Sequence, residues 1–175
     1  MELTNIMPLE DWEQFEKELF HKFSINCTVY NVSGMSITGK PNWCNHLCPE
    51  IKANKTSLAA ICAPGNQYFM SQAKKTQGPV IGECDAGFIK IAVPVLVEGE
   101  FLGTAGGCGL LPEDGEVEEF IVQKTLGLPT AEIAERCQDI GSMSEEKAKE
   151  MAAFIEKQLT RFIDACDAVS SAEAS

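Results

Sequence analysis

The sequence predicts an α+β fold: an antiparallel sheet of about five strands, helices on one face of it, and a long C-terminal helix. Three observations carry that expectation. Apolar residues recur at steps of three and four near both ends of the chain, and they switch to strand-like runs between Val80 and Cys108. An early β-branched run, Cys27 to Val32, offers a further strand to the same sheet.

Residues 9–23 place Trp12, Phe15, Leu19 and Phe23 on one helical face, with Pro8 upstream as a helix starter. Cys27-Thr28-Val29-Tyr30-Asn31-Val32 reads as a strand, Ser33-Gly34 as a turn and Met35-Ser36-Ile37-Thr38 as the return strand. A helix is expected from Asn42 as N-cap, carrying Trp43, Cys44, Leu47 and Cys48, with Pro49 kinking or ending it before Ile51. Another is expected to begin near Cys62, where Pro64 suits a first turn, and to run through Tyr68, Phe69 and Ala73 to Lys75. Val80 to Cys84 and Phe88 to Val97 are the next strands, the second largely apolar; Glu98-Gly99-Glu100 is the turn and Phe101 to Cys108 the return. Helices are expected over Val117 to Leu126 and after Pro129. The longest starts at Ser144 as N-cap, with Glu145 and Glu146 in a first turn where they suit the helix dipole. The chain divides into a body, residues 1–143, and a terminal helix with its tail, residues 144–175, of which Ser170 to Ser175 reads as frayed.

A chain of 175 residues supports one domain, or two small ones, that bury about 70% of their unfolded surface. Against 26 acidic residues stand 14 basic ones, a net charge of −12, so phosphate backbones and anionic lipid are repelled and neither nucleic acid nor membrane is an expected partner. No apolar run approaches the roughly 18 residues of a membrane span, and Met1-Glu2-Leu3-Thr4 lacks the start of a signal peptide. The expected location is the cytoplasm. There the eight cysteines stay reduced, which leaves metal binding, redox chemistry or plain burial. No dinucleotide loop, phosphate loop, H-E-x-x-H or G-x-S-x-G is present, and His21 and His46 are the only histidines, so no enzyme is expected.

Cys44, then Cys62 ahead of an alanine-containing helix, then Cys84-Asp85-Ala86-Gly87-Phe88, then Ile91-Ala92-Val93-Pro94-Val95 with Gly99 and Leu102-Gly103, together resemble the PocR sensory domain family. The likeness covers roughly Leu9 to Leu111, and its most specific element is the ordered set of three cysteines with the Ala-Gly pair after the third. It implies a PAS-like sheet domain of bacterial transcription regulators and sensor kinases that binds a small hydrocarbon derivative such as a short diol. One departure stands out: Gly107-Cys108 replaces the Gly-Gln pair expected at the end of the last strand. If that glutamine holds the ligand, the ligand here differs.

Candidate site residues fall into two sets. Gly103, Gly106 and Gly107 either allow close packing on a twisted sheet or leave a cavity, walled by Tyr30, Tyr68, Phe69, Phe88 and Ile91 and lined by Gly106 and Cys108. The second set is Cys44, Cys48, Cys62 and Cys84. The first two share a helical face if the helix from Asn42 forms, Cys62 sits where a helix start favours thiolate, and Cys84 ends a strand. Four thiolates suit tetrahedral zinc or a four-iron cluster, yet intervals of 3, 13 and 21 residues match no standard motif. Burial as small hydrophobes and reversible disulfide chemistry remain open beside it. Cys27, Cys137 and Cys166 are expected in the core.

Two functions follow: a small-molecule sensory module, or a cysteine-based metal or redox sensor, with a thiol enzyme a distant third. Finally, Ala148, Ala152, Ile155, Leu159, Phe162, Cys166 and Val169 form a heptad stripe on the last helix. It suits either packing on its own domain or pairing with a second copy, and a parallel homodimer through this helix is the expected assembly.

Overall fold

The computed structural model describes residues 1–173, with side chains through Ala168. A short α1 (Leu3–Ile6) precedes α2 (Leu9–Phe23), which starts directly after Pro8 and buries Trp12, Phe15, Leu19 and Phe23 as their spacing requires. After β1 (Asn26–Asn31) and a loop comes α3 (Leu47–Ala53). α4 (Lys55–Ser57), a π-helical turn (Leu58–Cys62) and α5 (Ala63–Thr76) then form one unbroken helical path. β2 (Val80–Glu83), β3 (Ile89–Val97) and β4 (Glu100–Cys108) complete a four-stranded antiparallel sheet in the order β1-β4-β3-β2. The β3–β4 turn places Glu98 and Gly99 at positive φ, the two-residue geometry whose twist matches the flanking strands. β5 (Leu111–Pro112) and β6 (Ser142–Met143) pair in parallel and enclose α6 (Glu119–Leu126) and α7 (Thr130–Arg136). The chain ends in α8 (Glu145–Glu173), whose start is capped by the Ser144 hydroxyl accepting the Lys147 N–H at 3.1 Å.

The expected α+β class, antiparallel sheet and long terminal helix are therefore present, with three local differences. Met35 to Thr38 does not form a fifth strand; only a Tyr30–Ser36 bridge joins it to β1. Asn31 closes the turn by accepting the Ser33 and Met35 N–H groups, and the chain then bends away so that Thr38 reaches α2. Helices also cover both faces of the sheet. Cys27, Val29, Ile89, Ile91, Val93 and Val95 pack with α2 and α8, while Thr28, Tyr30, Lys90 and Thr104 look toward α5. Lastly, α3 begins at Leu47, not Asn42. Asn45 supplies the cap by accepting the Cys48 N–H at 2.7 Å, and Pro49 sits in the first turn, where a missing N–H costs nothing.

The helix expected to start near Cys62 starts at Lys55, where Asn54 accepts the Thr56 and Ser57 N–H groups. Pro64 lies inside the path. It has no N–H for the Ala60 carbonyl, and its ring crowds that carbonyl. The preceding turn widens instead, and the Ala63 N–H bonds five residues back to Leu58.

The heptad stripe of α8 faces its own domain: Ala148, Ala152, Ile155 and Leu159 are buried in the core shared with the sheet. Phe162 stacks edge-on against Phe15 and Trp12, with ring centroids 5.2 and 6.1 Å apart. Val169 and the tail expected from Ser170 lie outside the residues whose side chains are described.

One buried acid ties the layers together. Glu16 of α2 is 1% exposed; it accepts the Val29 N–H and the Thr38 hydroxyl, each at 2.7 Å. Burial raises its pKa from 4.5 to about 7, against the lowering effect of those two bonds. The folded state then binds the proton more tightly than the unfolded chain, so stability is full below about pH 4.5 and falls as pH rises to about 7. The loss is on the order of 3 kcal/mol. Urea unfolding between pH 5 and 8 is expected to show this decline, and Glu16→Gln, which keeps a neutral acceptor, is expected to flatten it and to be the more stable protein at pH 8.

Candidate functional site

A cavity lies between the α5 side of the sheet and the helical path from α3 to α5. The sheet contributes Thr28, Tyr30, Lys90, Ile91, Ala92, Thr104, Gly106 and Cys108; the helices contribute Cys48, Ile51, Lys52, Ile61, Cys62, Asn66, Phe69 and Met70; Cys84, Ala86 and Phe88 close one end. Strand alternation explains the first group apart from Ile91, since residues two apart on β1, β3 and β4 share a face; Ile91 borders the void while its side chain packs with α2 and α8 on the other face. The widened turn explains part of the second, because it carries Ile61 and Cys62 to the cavity ahead of the regular helix. The space open to the centre of a water-sized sphere is about 50 Å³. On that measure a water needs about 10–15 Å³, so the void holds a group of a few heavy atoms.

Six of the seven expected pocket residues meet here: Tyr30, Phe69, Phe88, Ile91, Gly106 and Cys108. Tyr68 does not. It is 59% exposed and stacks edge-on against Phe69 from outside. Neighbouring helical residues point about 100° apart, and on α5 the inward arc is filled by Phe69 and Met70, which leaves Tyr68 facing solvent. Gly106 borders the void, but its missing side chain serves strand packing: a Cβ there would stand 1.8 Å from the Ile91 carbonyl oxygen.

Of the four cysteines expected to converge, Cys48, Cys62 and Cys84 line the cavity and Cys44 does not. Cys44 precedes α3 in an irregular loop, so the helical-face argument for pairing it with Cys48 does not apply. The two sulfurs are linked through Asn45, whose amide donates to both and to the Gly109 carbonyl. Cys108 takes the fourth place, sharing a thiol hydrogen bond with Cys84. Among the described residues no three His, Cys, Asp or Glu side chains are placed to hold a metal ion. The thiols are held toward their neutral form. Burial pushes Cys48 up to about 12 and raises Cys62 and Cys44; the Cys108 hydrogen bond, then burial, raises Cys84. Cys62 ends the π-helical turn inside a continuous helical path, so no helix N-terminus favours its thiolate.

The residues missed by sequence reasoning are polar. Lys52 donates to the Tyr30 hydroxyl at 3.3 Å, and Lys90 donates to the Asn66 side-chain oxygen at 2.6 Å. Their ammonium nitrogens lie 6.0 and 5.8 Å from the centroid of the same Tyr30 ring. Burial works against the Lys52 charge, but the Tyr30 phenol, Cys62 and Cys108 act together in the other direction and the ammonium is held above its ordinary range. Lys90 carried a signal in the sequence: it is the one charged residue in the apolar run from Phe88 to Val97, on the face opposite Ile89 and Ile91.

A single antiparallel sheet, covered on both faces and enclosing one small cavity beneath α5, defines an α+β domain built around an interior site. The chain matches the family described as "Sensory domain found in PocR" over residues 5–165, and it belongs to that family. The match extends past the region of likeness read from the cysteines to take in α6, α7 and most of α8. No curated protein and no solved structure gives a significant match. Among the described residues no helix is long and apolar enough to cross a membrane.

Native Cys48 and Cys84 are expected to react with iodoacetamide at pH 7 at least tenfold more slowly than in urea, measured by peptide mass spectrometry; equal rates would mean that the thiols are exposed. Gly106→Ala is expected to lower stability by about 1–3 kcal/mol in urea unfolding, because the clash is with backbone.

Proposed function

We propose that this chain is a non-catalytic input module of a bacterial regulator or sensor kinase, working in the cytoplasm, that binds a small hydrocarbon derivative in the cavity beneath α5. The cavity carries the reading. It is mostly apolar, it has a few polar groups converging from separate elements, and it sits in a domain of a sensory family.

A route from ligand to output supports it. The sheet is one layer thick, and Gly107 borders the cavity on one side while a Cβ there would stand 2.9 Å from the Met151 methyl of α8 on the other. A ligand that prefers one position of β4 thereby biases the packing of α8. Pairing of two copies through α8 is proposed for the turns beyond Phe162, since the stripe before it is covered by the chain's own core.

A second reading, a zinc or iron–sulfur centre, is favoured by the four cysteines around one cavity and opposed by the lack of a metal-holding arrangement among the described residues. Metal analysis of anaerobically purified protein separates the two; one equivalent of zinc or iron would favour the centre.

Thermal unfolding with short alcohols, diols and aromatic hydrocarbons tests the first reading. A ligand at a hundred times its dissociation constant adds about 2.7 kcal/mol, and Ala92→Phe, which puts a ring into the void from the cavity face of β3, is expected to remove the response. A panel with no response would count against the cavity as a sensory site. For pairing, light scattering is expected to show a dimer at high concentration that Val169→Glu, further along the heptad stripe, weakens; a monomer at all concentrations would end that proposal.

A further inference from the structure

We propose that the cavity's ligand is a short-chain monocarboxylate, its carboxylate held between Lys52 and Lys90. The inference rests on the sensory reading above and adds to it the charge of the ligand.

Charge balance around the cavity is the starting point. The chain has 26 acidic residues and 14 basic ones, yet the lining contains two lysines and no aspartate or glutamate. Among the described residues neither lysine forms an ion pair with a carboxylate. Both are bonded to neutral partners, the Tyr30 hydroxyl and the Asn66 amide oxygen. The Tyr30 ring between them, and Phe69 beside Lys90, soften the two charges without cancelling them. Nor do the thiols supply the missing charge, since Cys48, Cys62 and Cys84 are all shifted toward the neutral form. Glu16 acts on Lys52 from outside the lining, but no carboxylate pairs with either ammonium, and partly buried charges that face one void favour an anion entering it.

The remaining walls set the rest of the ligand. Ala92, Phe69, Ile61 and Met70 offer an apolar surface, which suits an alkyl group. The available space, about 50 Å³, limits the whole molecule to roughly two to four carbons. A carboxylate has two oxygens for two ammonium groups, so one head group satisfies both lysines.

The test uses the full chain at pH 7.5 with sodium propionate, propionamide, 1,2-propanediol and sodium phosphate at matched ionic strength, followed by calorimetry and thermal shift. Propionate and propionamide have the same shape and differ in charge, so this comparison needs no variant. Propionate is expected to bind at least tenfold more tightly than propionamide. Lys52→Met and Lys90→Met are each expected to weaken propionate at least tenfold and to leave propionamide unchanged. Equal or tighter binding of propionamide or propanediol would overturn the anionic ligand while leaving the cavity a sensory site. Phosphate binding as tightly as propionate would overturn the carboxylate. Silence from all four compounds would end this inference, with the sensory reading decided by the wider panel of neutral compounds.

Discussion

Successive side chains along β3 leave the sheet on opposite faces, and that alternation is what makes both a core and a cavity possible in one layer of strands. Ile89, Val93 and Val95 pack toward α2 and α8, while Lys90 and Ala92 face the helices of the other side. β1 repeats the pattern with Cys27 and Val29 against Thr28 and Tyr30. A slip of one residue in the β3–β4 register would turn Lys90 into the apolar core and the isoleucines into the cavity. The two-residue turn at Glu98-Gly99 guards against that slip.

The two faces are held by different means. On the α8 side the packing is almost wholly apolar, with Glu16 the exception that joins α2, β1 and the Thr38 loop through hydrogen bonds. On the cavity side a smaller apolar cluster, centred on Leu47, Ile51, Ile61 and Phe88, closes one end of the sheet with α6 and α7. The polar groups of the cavity lie between that cluster and α5. Polar side chains there bond to each other or to backbone, and among the described residues no buried side-chain nitrogen or oxygen lacks a partner. What remains unmet is charge, not hydrogen bonding.

Much of the site was legible. Tyr30, Phe69, Gly106 and Cys108 stand in a strand or helix whose periodicity gives their direction, while Phe88 stands just before β3 and Ile91 turns its side chain to the other face. Tyr68 differs from expectation because the arc of α5 that faces the sheet is filled by Phe69 and Met70. Lys90 was legible, as a lone charge in a buried strand. Lys52 was not legible, because α3 begins five residues later than its expected N-cap and its facing is set by Asn45 and the Gly109 carbonyl. For the same reason the pairing of Cys44 with Cys48 on one helical face did not survive.

The sequence by itself determined the α+β class, the β3–β4 hairpin, the apolar faces of α2 and α8, and membership signals strong enough to point to a family, because each depends on local periodicity or on residues close in the chain. Tertiary structure decided the rest. Which face of the sheet each helix covers, the widening of the turn before Pro64, the failure of Met35–Thr38 to pair, and the meeting of Lys52, Lys90 and four cysteines around one void all depend on contacts between distant segments. Such contacts are fixed by the competition of whole faces for burial, and no local pattern records its outcome.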